Sequence, residues 1–123
     1  MDTKVIVAGD ISFLCVLLKM EIENAGMEVL AEVSNKADLL DQCIRKEPDI
    51  VIVDFQIPEI ESLRLIQDLL DIDPLMSIVT ISDAIGGYSE KVLAAGARAF
   101  LQKPFSTYDL IDTVKKVTPV LRY

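Results

Sequence analysis

The sequence predicts an α/β fold built on a parallel β-sheet with helices on both faces. Two aliphatic runs, at residues 4–8 and 50–53, consist mainly of Val and Ile, which is typical of strands buried on both faces. Segments of strand type alternate with segments of helical spacing, a pattern that favours right-handed crossovers and a doubly wound sheet. With 123 residues and 51% hydrophobic content, the chain can bury one aliphatic core. We therefore expect a single domain over residues 1–123.

The first predicted strand and helix lie at the start of the chain. The strand at residues 4–8 ends just before Asp10. Ser12 is the expected cap of a helix that runs to about Ala25, with Gly26 as its stop signal. Helical spacing predicts that the buried side of this helix comprises Phe13, Val16, Leu17, Met20 and Ile22.

The second strand, second helix and third strand follow. Glu28–Val33 has the mixed pattern of a short strand, and Ser34 is the expected start of a helix that ends before Pro48. The buried strand at residues 50–53 then runs into Asp54. The apolar side of the second helix is expected to comprise Leu39, Leu40, Cys43 and Ile44.

The second half of the chain repeats the alternation of helix and strand. A capping box at residues 106–109 predicts the start of the last helix, which Pro119 ends. Five strands and five helices in alternation favour the flavodoxin-like strand order 2-1-3-4-5, in which strands one and three are neighbours. The other expected elements are helix 61–72, strand 77–82, helix 89–95 and strand 98–102.

Composition and charge exclude several classes of function. The 20 acidic residues exceed the 12 basic ones, and no basic cluster is present, so we expect neither nucleic acid nor an anionic membrane as a partner. The absence of histidine excludes catalysis by histidine and the usual zinc sites. Cys15 and Cys43 fall inside predicted helices, and buried free thiols there fit a reducing cytoplasm.

Four polar residues end, or follow, four different predicted strands: Asp10, Asp54, Ser82 and Lys103. The carboxyl ends of parallel strands share one edge of the sheet, where ligands bind in open α/β folds. Two carboxylates in one cleft repel each other, and a divalent cation such as Mg²⁺ or the Lys103 ammonium would relieve that repulsion. A carboxylate in such surroundings can attack a phosphoryl group and become an aspartyl phosphate.

Together with their neighbours, these residues resemble a known family. The resemblance is to the receiver domain of bacterial two-component response regulators, particularly the stand-alone chemotaxis type, and it covers essentially the whole chain. The motifs that carry it are Val-Ala-Gly-Asp10, Val-Asp54-Phe-Gln-Ile-Pro58, Ser82, Ala-Gly-Ala-Arg-Ala-Phe100 and Lys103-Pro-Phe.

The resemblance implies a role for each matching position. Asp54 would be the phosphoacceptor, charged by a histidine kinase, and Asp10, Asp54 and the backbone carbonyl of Gln56 would bind Mg²⁺. Ser82 and Lys103 would contact the phosphoryl group.

The resemblance also implies a switch and an output surface. Phe100 would swing inward as Ser82 moves, and a cis peptide would precede Pro104. The fourth helix, fifth strand and fifth helix would form the face that binds a downstream protein or an effector domain.

Three positions depart from the family pattern. Gly9 stands where an acid usual in the family would precede Asp10, Ser62 replaces a frequent glycine, and Asp83 stands where a small residue is usual. Loss of the acid is expected to weaken metal binding by roughly 10- to 100-fold, by analogy with mutations in the surroundings of metal ligands.

Two functions therefore remain open at this stage: a phosphorylatable switch, or a degenerate receiver that binds proteins without a phosphoryl cycle. Two enzyme classes fit less well. A flavodoxin would need a phosphate-binding loop at residues 9–13, and a haloacid-dehalogenase-type phosphatase would need an acid in place of Ser12.

Overall fold

The computed structural model describes residues 2–117 and confirms the predicted α/β architecture. Five parallel strands lie in the order β2-β1-β3-β4-β5, as the sequence predicts. The elements in chain order are β1 (Lys4–Gly9), α1 (Ser12–Asn24), β2 (Glu28–Val33), α2 (Lys36–Lys46), β3 (Ile50–Asp54), α3 (Glu59–Ile72), β4 (Ser77–Ser82), α4 (Tyr88–Ala95), β5 (Ala99–Gln102) and α5 (Thr107–Lys116).

Two apolar layers cover the sheet, because successive side chains of each buried strand point to opposite faces. In β3, Ile50 and Ile52 pack toward α1 and α5, whereas Val51 and Val53 pack toward α2, α3 and α4. Every residue of β3 is buried, which explains its unbroken β-branched composition.

The strand register fixes which residues meet at the carboxyl edge of the sheet. Gly9 pairs with Asp54 across β1 and β3, and Ser82 pairs with Gln102 across β4 and β5. Asp10 and Lys103 each lie one residue beyond these pairs. All four predicted polar residues therefore emerge at the same edge.

Helix α1 differs from the prediction in two respects. Ile11 occupies the N-cap position and no side chain caps the helix, so Ser12 is its first helical residue and not its cap. The predicted apolar side is wrong except at Ile22, because the residues that α1 buries are Cys15, Leu18 and Ile22. Phe13, Val16, Leu17 and Met20 are exposed at 69%, 44%, 43% and 52%. Apolar residues occur on every side of this helix, so spacing alone cannot identify the buried side.

Helix α2 also begins later than predicted. Asn35, not Ser34, is its N-cap, and the Asn35 side chain accepts a hydrogen bond of 2.9 Å from the Asp38 amide. Leu39 and Cys43 are buried as expected, whereas Ile44 is 63% exposed.

Both cysteines are buried free thiols, as predicted. Within residues 2–117, no helix has both the length and the apolar character needed to cross a bilayer.

The predicted capping box of α5 is confirmed. Ser106 Oγ accepts a hydrogen bond of 3.0 Å from the Asp109 amide, and Asp109 Oδ2 accepts one of 3.2 Å from the Ser106 amide. Two of the orphan amides at the start of the helix are thus satisfied. Pro119, the expected end of this helix, lies outside the described residues.

We expect Ser106→Ala to lower the free energy of unfolding by about 1 kcal/mol, because it removes a side-chain cap. Ser12→Ala is the matched control, since Ser12 makes no cap hydrogen bond and its loss should change stability by at most a few tenths of a kcal/mol. Urea unfolding measures both variants. Equal destabilisation by the two substitutions would contradict this account of the helix starts.

Candidate functional site

A cavity of about 430 Å³ opens at the carboxyl edge of the sheet. It lies where the loops after β3 and β4 and the start of α4 approach one another. This is the edge at which ligands bind in doubly wound sheets. The polar side chains and aromatic ring that line it include Asp54, Gln56, Ser82, Asp83, Tyr88 and Lys103.

An ion pair between Asp54 and Lys103 lies at the floor of this cavity. Lys103 Nζ is 2.9 Å from Asp54 Oδ1, and the two side chains are only 24% and 9% exposed. Burial raises the pKa of the Asp54 carboxyl, Lys103 lowers that pKa in part, and the charges of Asp10 and Asp83 raise it again. The environment as a whole therefore disfavours the ionised form of Asp54.

Asp10 is fixed by the loop that follows β3. The backbone amide of Gln56 donates a hydrogen bond to Asp10 Oδ2. This contact joins the residue after β1 to the loop after β3, so Asp10 positions the chain next to Asp54 and does not cap α1. Asp10 itself is exposed, which leaves its carboxylate open to solvent and to cations.

Ser82 and Lys103 are linked through the backbone of neighbouring strands. The Lys103 amide donates a hydrogen bond of 2.9 Å to the Ser82 carbonyl. Ser82 Oγ accepts a hydrogen bond of 3.0 Å from the Ala84 amide, which holds the start of the loop after β4. The Ser82 hydroxyl proton remains free to donate to a group in the cavity. The structure also confirms the cis peptide between Lys103 and Pro104.

The glycine that replaces the missing acid is packed against a cysteine. A Cβ atom built on Gly9 would lie 3.0 Å from Cys15 Sγ and 3.3 Å from the Asp54 carbonyl oxygen. Cys15 Sγ lies 3.7 Å from the Gly9 carbonyl oxygen, to which it donates a weak hydrogen bond. Burial raises the pKa of the Cys15 thiol, and nearby carboxylates add to the rise. The Cys15 side chain is therefore a protonated thiol that fills the space beside Gly9.

The carboxylate oxygens at this edge of the sheet suit a Mg²⁺ ion that is bound by only a few protein ligands. Within residues 2–117, no three side chains of His, Cys, Asp or Glu come together to hold a metal ion. Asp10 and Asp54 each have one oxygen engaged, which leaves Asp10 Oδ1 and Asp54 Oδ2 without a hydrogen-bond partner among the described residues. Mg²⁺ commonly binds one or two carboxylates and keeps several waters, so this set is chemically suitable.

Phe100 lies apart from the other predicted site residues. It is half-buried in β5, packs against the core under α3 and α4, and does not line the cavity. Its ring meets Tyr88 edge-on, with ring centroids 5.9 Å apart and planes at 69°. Tyr88 lines the cavity but is absent from the sequence-based set, because one aromatic residue before a predicted helix gives no motif or periodicity.

Comparisons with known proteins agree with this fold. The family model for the response regulator receiver domain matches residues 5–115. The chain is 32% identical to the chemotaxis protein CheY of Thermotoga maritima over 120 residues, which cover 96% of this chain and 99% of that protein. It is 30% identical to the polar-differentiation response regulator DivK of Brucella anthropi over 118 residues, covering 94% and 95% of the two chains.

Solved structures are similar in fold. A CheY-like receiver domain protein from Methanospirillum hungatei aligns with a TM-score of 0.84 and 20% identity, covering 94% of this chain and 93% of that one. The chemotaxis response regulator CheY4 of Vibrio cholerae aligns with a TM-score of 0.84 and 19% identity, covering 95% and 99%. These two likenesses establish the fold.

We expect Asp54→Asn to stabilise the folded protein at neutral pH. Because the pKa of Asp54 is raised above its ordinary value of 3.8, the folded state binds more protons than the unfolded state between the two pKa values. Stability therefore falls as pH rises through that range and stays lower above it. The variant, which lacks the buried charge, should gain most at neutral pH and lose its advantage as pH falls toward 3.8.

Urea unfolding across that pH range measures the effect. Asp112→Asn is the control, because Asp112 forms an exposed pair with Lys116 at 2.9 Å and should change stability by no more than about 1 kcal/mol. An Asp54→Asn variant less stable than the parent protein at neutral pH would contradict the expectation.

Proposed function

The chain belongs to the receiver domain family of two-component response regulators, and we propose from this premise that it is a phosphoryl-accepting switch. One observation carries the proposal. Asp54, paired with Lys103 at 2.9 Å, opens into a cavity that Ser82 also lines. A carboxylate, an ammonium and a hydroxyl at one cavity supply a nucleophile and two groups that stabilise a phosphoryl group.

In the proposed reaction, Asp54 accepts a phosphoryl group from a phosphohistidine of a histidine kinase. One carboxylate oxygen of Asp54 attacks phosphorus, an O–P bond forms, and the N–P bond to the donor imidazole breaks. Lys103 balances negative charge on the phosphoryl oxygens, and the Ser82 hydroxyl donates to one of them. The later loss of phosphate by hydrolysis at the same site would reset the switch, so the protein acts as a phosphoacceptor and not as a classical enzyme.

Asp10, Asp54 and the Gln56 carbonyl are the proposed holders of Mg²⁺. When bound, the cation would neutralise charge that builds up between the carboxylates and the phosphoryl oxygens. Asp10 also positions Gln56 through the hydrogen bond from its amide, so the same carboxylate orders the loop that supplies the third ligand.

The surface next to the cavity suits a protein donor. An apolar groove of about 610 Å³ extends from Leu14 and Leu17 of α1 to Phe105, and it reaches Asp54 and Lys103. We assign this groove to a helix of the kinase, because a helix lying there would face the acceptor carboxylate. The opposite side of the cavity borders α4, and the face formed by α4, β5 and α5 is the proposed output surface. We place the protein in the cytoplasm with its kinase.

The alternative function is a receiver that binds a partner without a phosphoryl cycle. Two observations favour it: Gly9 removes one carboxylate from the metal's surroundings, and Asp83 adds negative charge at the cavity. Both changes would slow phosphorylation, whereas the ion pair of Asp54 and Lys103 is retained. The experiment below separates the two functions.

Incubation with acetyl phosphate and Mg²⁺ should add the mass of one phosphoryl group to the intact protein, as measured by mass spectrometry. We expect no adduct in Asp54→Asn, and a reduced adduct in Lys103→Met, which lacks the balancing ammonium. Asp112→Asn is the control for removal of an exposed acid and should react like the parent protein. An unmodified parent protein at millimolar Mg²⁺ would reject the switch in favour of the interaction module.

Restoring the missing acid should tighten Mg²⁺ binding once space is made for it. In Gly9→Asp combined with Cys15→Ala, we expect the dissociation constant for Mg²⁺ to fall by about 10- to 100-fold, as for other groups that support a metal. The matched control is Gly9→Asn with Cys15→Ala, which has the same shape without the charge. Titration of each protein with Mg²⁺ measures the difference, and equal affinities in the two double variants would refute a metal site at Asp10 and Asp54.

A further inference from the structure

Two aromatic residues, Phe55 and Tyr88, line the phosphoacceptor cavity, and of these Tyr88 is the one that contacts the Phe100 ring. It is the first residue of α4, it is half-buried, and it lines the cavity together with Asp54, Ser82 and Lys103. Phe100 does not line this cavity. Tyr88, unlike Phe100, therefore borders the phosphoacceptor cavity directly.

The Tyr88 ring also borders two other parts of the molecule. It lines a narrow crevice of about 10 Å³ with Ser62 of α3 and Thr80 of β4, and it meets the Phe100 ring edge-on at 5.9 Å. The crevice is too small to admit a second ring, so the Tyr88 side chain has little room to move toward Ser62 and Thr80. The two rings are in contact, so displacement of one ring changes the packing of the other.

The backbone before Tyr88 permits such a movement. Gly86 and Gly87 precede it with φ angles of +77° and +83°, and a Cβ built on either would meet no atom within 4 Å. Helix α4 buries one residue, Val92, and its link from Lys91 to Glu59 of α3 is an exposed ion pair at 3.1 Å. The two glycines and the exposed ion pair are features expected at a segment of low local stability.

We propose that Tyr88 is the positioning residue that couples the occupancy of Asp54 to Phe100. A phosphoryl group on Asp54 changes the contacts of Ser82 and of the cavity wall, which includes Tyr88. Tyr88 then moves about the two glycines, and the Phe100 ring follows because the two rings pack together. The Tyr88 ring, and not its hydroxyl, performs this role. The inference rests on the proposed function, because it requires an adduct on Asp54.

The test follows Phe100 by fluorine NMR in protein labelled with 4-fluorophenylalanine. The chain has four phenylalanines, and single Phe→Leu variants assign their resonances. Acetyl phosphate with Mg²⁺ forms the adduct, which intact mass quantifies in the same samples. We expect the Phe100 resonance to shift on adduct formation in the parent protein and also in Tyr88→Phe, in which the introduced phenylalanine adds a fifth resonance.

In Tyr88→Leu, which keeps apolar volume but removes the ring, the adduct should form and the shift of Phe100 should be lost. Tyr108→Leu is the matched control, because Tyr108 is 76% exposed on α5 and should leave the shift intact. If Tyr88→Leu does not fold, Tyr88→Met replaces it with the same expected loss.

A Phe100 shift that persists in Tyr88→Leu overturns the inference, and so does a fully modified parent protein without any shift. If the parent protein forms no adduct, the proposed function fails and this inference fails with it. The mass measurement separates that failure from the other two.

Discussion

Lys103 Nζ lies 2.9 Å from Asp54 Oδ1, and this ion pair joins the ends of two strands that are not neighbours in the sheet. β4 lies between β3 and β5, so the pair spans the end of β4, and both of its residues line the cavity together with Ser82. The contact is possible because all five strands are parallel and end at one edge. Removal of Lys103 would leave the buried charge of Asp54 uncompensated.

The negative charge of the buried Asp54 is balanced only in part by the other groups of the site. Lys103 balances the charge of Asp54 only in part, because burial and the nearby carboxylates of Asp10 and Asp83 still raise the pKa of Asp54. Folding therefore keeps a carboxylate in surroundings that disfavour its charge, which is common at functional sites. Mg²⁺ and a phosphoryl group together would change this balance, and the proposed switch depends on that change.

The sequence predicted the strands and the site edge better than the helix faces. The β-branched run of β3 is typical of a strand buried on both faces of a sheet, so Asp54 could be assigned to the end of a buried strand. Helix α1 is apolar on every side, and only tertiary contacts show that Cys15 and Leu18 face the core while Phe13 faces solvent. The N-cap of α2, Asn35, was missed because Ser34 is an equally good cap by residue type.

Two parts of the site could not be predicted from the sequence, because they depend on contacts between distant segments. The packing of Cys15 Sγ against Gly9 explains how the chain accommodates the missing acid, but neither residue signals it alone. Likewise, the contact of Tyr88 with Phe100 joins the start of α4 to β5. The family resemblance assigned the switch to Phe100, whereas the cavity itself is lined by Tyr88.

The most direct test of the central claim is a crystal structure of the protein grown with Mn²⁺ and beryllofluoride, a stable mimic of a phosphoryl group. We expect anomalous density for manganese between Asp10, Asp54 and the Gln56 carbonyl, with the beryllium bonded to Asp54 and its fluorines contacting Ser82 and Lys103. Manganese bound elsewhere, or an Asp54 that keeps its contact with Lys103 and carries no beryllium, would contradict the account.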